Sequence, residues 1–335
     1  MQKHLDIVCM GMALVDSIIK GFDPEPISAS GYRAKSGSLN VGGEAVNEAV
    51  AASRLGMKTG IVCSLGADAA GDMVLAQLSR CGVDTSAVLR SEEHPTPVTT
   101  MFVRDDGTRK SITNGSHRYN FHPERYPEKF TCARALILGS LFRAPFDDPE
   151  IILSVVKAAS DAGTLIFGDT KLPNFRKLGL DDIREALPYL DFITPNEDEA
   201  KYFTGKDDPE EMADMFLSYG VKNVVIKLGA QGCFFKNSEM SLMLPAFPID
   251  AVDATGAGDC FVAGLASEIL RGADTLAKSA FADGVDSSEL LRSADIADAL
   301  RFASACGAIC TTAVGAGTAL RDREQVRALM DAYSM

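Results

Sequence analysis

Val252-Asp253-Ala254-Thr255-Gly256-Ala257-Gly258-Asp259 runs without a break into Cys260-Phe261-Val262-Ala263-Gly264-Leu265, and this passage organises the reading of the whole chain. Residues without bulky side chains lead straight into a helical pattern. Such a loop lets successive backbone N–H groups converge, and the helix N-terminus adds partial positive charge, so the segment forms an anion hole. An acid there needs a reason, because Asp259 repels a resting phosphate. Two reasons stand open: Asp259 is a general base that takes a proton from a hydroxyl attacking the phosphate, or it merely caps the helix.

Short apolar runs alternate with helical patterns over most of the chain. Strands are expected at Asp6–Met10, Thr59–Ser64, Ala135–Gly139, Thr164–Gly168, Phe192–Thr194 and Val221–Leu228, with helices over Gly43–Leu55 and Ala70–Cys81 among the intervening stretches. That alternation predicts an α/β fold with a mostly parallel sheet covered on both faces. Two passages break the rhythm. Ser17–Asn40 is rich in Pro and Gly and ends in a strand-like Tyr32–Leu39, and Thr96–Ser111 reads as a hairpin turning at Asp106-Gly107. Both suit a small separate sheet over the N-terminal glycine segment. Ala282–Ser293 reads as a surface loop.

That glycine segment is Asn40-Val41-Gly42-Gly43-Glu44-Ala45-Val46-Asn47. Paired glycines before a helix let a ligand approach the backbone. Asn47, one turn inside the helix, offers a donor and acceptors, and Asp16, just past the first strand, can accept bonds from vicinal hydroxyls. Each can equally be a turn or cap residue. Other phosphate motifs fail: Gly205-Lys206 lacks the upstream glycine of a Walker loop, and Phe261 stands where a dinucleotide fingerprint needs a third glycine. No HExxH or GxSxG occurs, and His4, His94, His117 and His122 show no ligand spacing.

Composition excludes some classes. The chain has 335 residues, 46 acidic and 33 basic, for a net charge of −13. That balance disfavours a nucleic-acid partner, and no stretch reaches the ~18 apolar residues of a membrane helix. The cysteines Cys9, Cys63, Cys81, Cys132, Cys233, Cys260, Cys306 and Cys310 are scattered without CxxC spacing, as in a reducing compartment. With no signal-peptide pattern at the N-terminus, a cytoplasmic location is expected, and Asn114-Gly115-Ser116 reads as a turn.

Taken together, these segments resemble the ribokinase-like, or PfkB, family of carbohydrate and nucleoside kinases. Gly42-Gly43 with Asn47 and Arg54-Leu55-Gly56 look like its N-terminal signature. Asp253-Ala254-Thr255-Gly256-Ala257-Gly258-Asp259 is similar to its Asp-Thr-x-Gly-Ala-Gly-Asp signature, and Asn196-Glu197-Asp198-Glu199 fits Asn-x-x-Glu. The resemblance spans essentially the whole chain, and it implies a ribokinase-like three-layer sandwich: one α/β domain over 1–335, with a small β lid from about 15–40 and 96–120. It implies transfer of the γ-phosphoryl of ATP to a hydroxyl of a sugar or sugar derivative, of fructokinase, ribokinase or 2-keto-3-deoxygluconate kinase type. Asp259 would be the base, and the N–H groups of Gly256, Ala257 and Gly258 the anion hole. Asp16, Gly42, Gly43 and Asn47 would hold the acceptor, and Lys227, Gly229 and Gly232 would lie on the nucleotide side. Asn196 and Glu199 would act on Mg²⁺ through water, and Asp253 on a monovalent cation such as K⁺, with carbonyls around Thr255 and 313–317. A homodimer paired through the lid is implied as well. A nucleoside kinase and a catalytically silent ligand sensor are the alternatives on the same fold.

The chain departs from the family in one element. Where many of its sugar kinases carry Asp-x-Asn-x-Arg, this sequence reads Asp169-Thr170-Lys171-Leu172-Pro173, and Ser140-Leu141-Phe142-Arg143 supplies no acid against a sugar. Roles for Lys171, Arg104 and Arg109 are left open, with Arg104 or Arg109 a conceivable partner for an acidic sugar.

Overall fold

The computed structural model describes residues 3–21, 33–114, 121–144, 146–279 and 293–333. The chain opens with β1 (Leu5–Met10), β2 (Leu14–Lys20), β3 (Ser36–Gly42) and α1 (Glu44–Arg54). It continues through β4 (Thr59–Val62), β5 (Ser64–Gly66), α2 (Ala69–Arg80), β6 (Leu89–Ser91), β7 (Val98–Val103) and β8 (Arg109–Thr113). Next come α3 (Glu128–Thr131), β9 (Ala133–Leu141), α4 (Pro149–Asp161), β10 (Leu165–Thr170), β11 (Phe192–Ile193), α5 (Glu197–Thr204) and α6 (Pro209–Ser218). The last part holds β12 (Asn223–Lys227), β13 (Cys233–Asn237), β14 (Ser241–Leu244), α7 (Ala257–Ser279), α8 (Ser293–Cys310) and α9 (Arg323–Ala332).

Eight strands form one sheet in the order β14-β13-β12-β11-β10-β9-β1-β4. From β12 to β4 every neighbour is parallel, whereas β13 and β14 add antiparallel at one edge. The period of two along each strand sorts the core. Ile7, Cys9, Ala135, Ile137, Phe167 and Val225 pack with α1, α7 and α8 on one face. Val8, Met10, Leu136, Leu138, Ile166 and Val224 pack with α4 and α6 on the other. The result is helices, sheet, helices, a three-layer arrangement.

The edge hairpin β13–β14 is not foreshadowed by the strand-then-helix rhythm. Its turn is made by the Asn237 side chain, which accepts the N–H groups of Glu239 and Met240. A second sheet, in the order β3-β2-β7-β8, stands apart. The apolar run from Leu5 switches sheets at Gly11, whose φ is 152°. A Cβ there would come within 2.7 Å of the Gly139 carbonyl oxygen, so the crossing needs glycine. Asp16 therefore lies within β2, not just past the first strand as its sequence position suggests. The expected strand before Asn40 begins at Ser36 and extends to Gly42. Tyr32, residues 115–116 of the Asn114 turn and most of the loop expected at 282–293 lie outside the described residues.

On adjacent strands Phe167 and Phe192 stack with centroids 4.8 Å apart and 3° between planes, and both are fully buried. Phe167→Ala is expected to cost about 3–5 kcal/mol, measured by urea unfolding.

Candidate active site

The glycine loop is held from two sides. Asp253 accepts from the Thr255 N–H and hydroxyl through Oδ1 and from the Gly315 N–H through Oδ2. Cys310 donates its thiol to the Thr255 carbonyl and accepts the Gly317 N–H. Burial alone would raise the Asp253 carboxyl, but the bonds from Thr255 and Gly315 outweigh it and hold the group below its ordinary value. Gly256 has φ 79°, and a Cβ on it would lie 2.7 Å from that of Ala316. Among the described residues the N–H groups of Gly256, Gly258 and Asp259 meet no acceptor, whereas the Ala257 N–H donates to the Ala254 carbonyl at 3.2 Å. Ala257 is therefore a turn donor in this structure, whereas its neighbours' N–H groups are left without an acceptor among the described residues. They sit at the N-terminus of the 23-residue helix α7, where the helix dipole adds to them.

Asp259 lies in the first turn of α7, past the cap position, and is 4% exposed. Its Oδ2 accepts from Asn47 Nδ2 at 2.7 Å, which answers the cap question: the side chain points into the site. Lys171 Nζ stands 3.8 Å from Asp259 Oδ1 and 4.0 Å from Glu44 Oε1. Burial pushes the Asp259 carboxyl up to about 6; Glu44 and Asp169 add to the rise, while Lys171 and the Asn47 bond oppose it.

The loops after the parallel strands bring the remaining groups together, as the carboxyl ends of such strands do. Asp169 sits at a register shift in β10: Gly168 pairs with Leu138 but Thr170 pairs with Leu141, so two residues of β9 face one of β10. Its Oδ1 accepts from Lys227 Nζ at 2.6 Å and from the Thr194 hydroxyl at 2.8 Å. The ammonium of Lys227 also lies against the glycine loop, for a Cβ on Gly258 would meet it at 3.1 Å. Gly229 and Gly232 form the tight turn that follows Lys227. Asn196 and Glu199 make a reciprocal cap for α5, and Glu199 Oε2 further accepts from Thr170. Burial raises the Glu199 carboxyl, against the pull of Lys227.

Sequence reasoning missed Glu48. It is fully buried, and neither carboxylate oxygen has a hydrogen-bond partner. One oxygen each of Glu48, Asp169 and Asp259 fall within 4.8 Å of one another. Burial, reinforced by Asp169 and Asp259, raises the Glu48 carboxyl well above its ordinary value. The signal was available: Ala45, Glu48, Ala49 and Ala52 line one buried stripe of α1, and an acid is out of place there.

The small sheet contributes Asp16, whose Oδ2 would lie 2.5 Å from a Cβ on Gly42, so the glycine makes room for the carboxylate. Burial and Glu44 push Asp16 up to about 6, with Arg109 opposing them. Arg109 pairs with Val103 on the face that carries Asp16, whereas Arg104 bonds Thr108 inside the hairpin turn. Gly43, with φ 102°, ends β3 and caps α1. A pocket of about 590 Å³ lined by Pro248, Ile249, Asp250 and Thr312 adjoins the glycine loop.

A family model for "pfkB family carbohydrate kinase" matches residues 5–323. The chain belongs to that family. It is a phosphotransferase with a hydroxyl acceptor, built on the ribokinase-like fold. The chain is 30% identical over 290 residues to a probable fructokinase-3 of Arabidopsis thaliana, covering 83% of this chain and 79% of that one. To a ribokinase of Staphylococcus aureus it is 28% identical over 246 residues, 70% of this chain and 77% of the other. The solved Arabidopsis thaliana ribokinase with ribose and ATP superposes with a TM-score of 0.80 at 26% identity, covering 98% of this chain and 99% of that one. Among the described residues of this carbohydrate kinase, no helix is long and apolar enough to cross a membrane.

The shift of Asp259 has a stability consequence. Its folded value of about 6 lies above the 3.8 of the free side chain, so the stability it contributes is complete below the lower value and lost as pH rises through the upper one. Asp259→Asn is therefore expected to raise Tm at about pH 7.5 and to leave it nearly unchanged at about pH 4, measured by scanning calorimetry at both.

Proposed function

We propose that this carbohydrate kinase transfers the γ-phosphoryl group of ATP to a hydroxyl of a small neutral sugar, with Asp259 as general base. One observation carries the reading: Asn47 occupies Asp259 Oδ2, which leaves Oδ1 as the atom that receives the hydroxyl proton. The N–H groups of Gly256 and Gly258 stabilise charge on the transferring phosphoryl, and Lys227 brings a cation beside them. The pocket of Pro248, Ile249, Asp250 and Thr312 holds the nucleotide's base end. The relative solved with ribose and ATP supports the choice of both ligands. Asp16, with Gly42 and Gly43 giving close backbone approach, holds the acceptor. Asp16, Glu44 and Asp259 surround the acceptor side with carboxylates, which favours a neutral sugar over a sugar acid.

The Asn196–Glu199 pair fits a hydrated divalent cation. Of its side-chain oxygens, Glu199 Oε1 alone accepts no hydrogen bond among the described residues, and Mg²⁺ keeps a water shell that donates to such an oxygen. When bound with ATP, Mg²⁺ supplies charge neutralisation on the phosphates. A monovalent cation at Asp253 fits less well, because both its carboxylate oxygens and the carbonyls of Thr255, Gly315 and Gly317 already accept hydrogen bonds. No step is derived through such an ion.

Assembly is part of this reading. Leu39, Ser17, Thr100 and Ile112 form one row across the small sheet on the face opposite Asp16. Leu39 and Ile112 are 61% and 70% exposed, and pairing of two such faces in a homodimer covers them. Ile112→Glu is expected to convert a dimer to monomer by light scattering; a wild type that is already monomeric removes the proposal.

In an ADP-release assay, neutral ketoses and pentoses are expected to be turned over and sugar acids are not. Asp259→Asn is expected to lower kcat by about three orders of magnitude or more with acceptor binding retained. Wild-type kcat/KM is expected to fall on the acid side of about pH 6, where Asp259 takes up a proton. Near-normal turnover by Asp259→Asn sinks the assignment.

A further inference from the structure

We propose that Lys171 is a catalytic residue whose ammonium meets the acceptor oxygen opposite Asp259, the two groups gripping that oxygen from two sides. The inference rests on Asp259 being the base, and it concerns a position where this chain departs from its family.

Distance carries the argument. Lys171 Nζ lies 3.8 Å from Asp259 Oδ1, too far for a hydrogen bond between them. A separation of 3.8 Å is one that a single oxygen about 2.8 Å from each atom would bridge, the ordinary separation of hydrogen-bonded partners. Asp259 Oδ2 is taken by Asn47, so an incoming hydroxyl is directed to Oδ1 and hence into this gap. Lys171 is fixed at its base, since its backbone N–H donates to the Leu141 carbonyl at 2.9 Å, and Glu44 Oε1 lies 4.0 Å from its ammonium. The side chain remains 25% exposed and so opens onto the site.

The charges around the pair keep the lysine protonated. Burial works against its charge, but Asp259, Asp169, Glu44 and Glu199 outweigh it and raise the group above the ordinary lysine range. Facing Asp259 are Glu44 and Glu48 from α1, Asp169 and Lys171 at the end of β10, and the Cys310 thiol of α8. Lys171 is thus the cation that opposes protonation of the base. In the step itself the acceptor oxygen bonds to the γ-phosphorus. The bond from that phosphorus to the bridging oxygen breaks, and its electron pair leaves on ADP. The hydroxyl proton passes to Asp259 Oδ1. Lys171 stays protonated throughout and stabilises negative charge as it grows on the acceptor oxygen.

The test compares wild type, Lys171→Met, Lys171→Arg and Asp259→Asn with D-fructose and D-ribose as acceptors. Lys171→Met is expected to lower kcat about 100-fold or more and to move the acid limb of kcat/KM upward by about one unit. Lys171→Arg is expected to leave that limb in place and recover part of kcat. Difference infrared titration, each protein against its Asp259→Asn version, reads the same carboxyl with no acceptor present, and it is expected to show the same upward movement. Where Lys171→Met fails to fold by circular dichroism, Lys171→Gln replaces it. A kcat within about threefold of wild type with an unmoved limb overturns the inference, as does a loss confined to KM. Silence of Asp259→Asn beside a normal Lys171→Met removes only the role of Lys171. Turnover by Asp259→Asn removes the base assignment beneath it.

Discussion

Carboxylates crowd the ends of the central strands, and the structure depends on how their charge is opposed. Glu44, Glu48, Asp169, Glu199 and Asp259 share one region with the ammonium groups of Lys171 and Lys227. Taking several like charges out of water costs several kcal/mol per ion. Three devices contain that cost. Asp169, with no exposed side chain, pairs with Lys227 at 2.6 Å and also accepts from Thr194. Asp259 receives one hydrogen bond from Asn47 and faces Lys171. Glu48, which receives neither among the described residues, has its charged form disfavoured by burial and by Asp169 and Asp259. Removing Lys227 leaves the buried Asp169 charge without its cation, a change worth about 3–5 kcal/mol for a buried pair. Lys171, a quarter exposed and 3.8 Å from Asp259, acts through its charge more than through a direct bond.

The backbone is distorted where this cluster forms. The extra residue in β9 opposite Asp169 coincides with Ser140 at φ 70° and Phe142 at φ 74°, both unusual for residues with side chains. Gly139 precedes them, and a Cβ there would lie 2.9 Å from the Glu48 carboxylate. Bulge, positive φ and absent side chain together open space at the end of the strand for buried carboxyls. Strain of this kind costs on the order of 1–3 kcal/mol per residue and persists only where packing over-determines it. Phe142 is locked by full burial and by its contact with Phe203, with centroids 4.0 Å apart.

Much of this was legible in the sequence, and the exceptions share a physical cause. The parallel sheet was readable because its strands are apolar on both faces. Asp259, Asn47 and Asp253 stood out in the sequence because they lie in the two glycine-containing segments, but the bond that joins Asn47 to Asp259 was not legible, since it links residues far apart in the chain. Lys171 and Pro173 could be named as departures, but Lys171 was given no role, because it acquires its partners from α1 and α7, far away in sequence. Glu48 escaped because a single acid inside an Ala- and Val-rich helix looks like a solvated face. The edge hairpin escaped because a side-chain turn at Asn237 leaves no Gly or Pro to mark it. The turn bond of Ala257 was not legible because loop composition does not reveal which N–H groups the turn itself engages.

The glycine loop, in the reading proposed for it, explains how an acidic protein would handle a polyanion. Its donors are backbone N–H groups, whose number is independent of net charge, and they need only be held apart from other acceptors. Holding them falls to neighbours that never touch the anion: Asp253 clasps Gly315, Cys310 clasps Gly317, and Ala316 packs against Gly256. Arg54 ties the same segment to α1 by donating to the carbonyls of Gly317 and Leu320. Because α1 also carries Asn47, which bonds Asp259, the helix that orients the proposed base is anchored to the segment that shapes the glycine loop. Such an anchor would keep the proposed proton acceptor and the loop's N–H groups in a fixed relation before any ligand arrives.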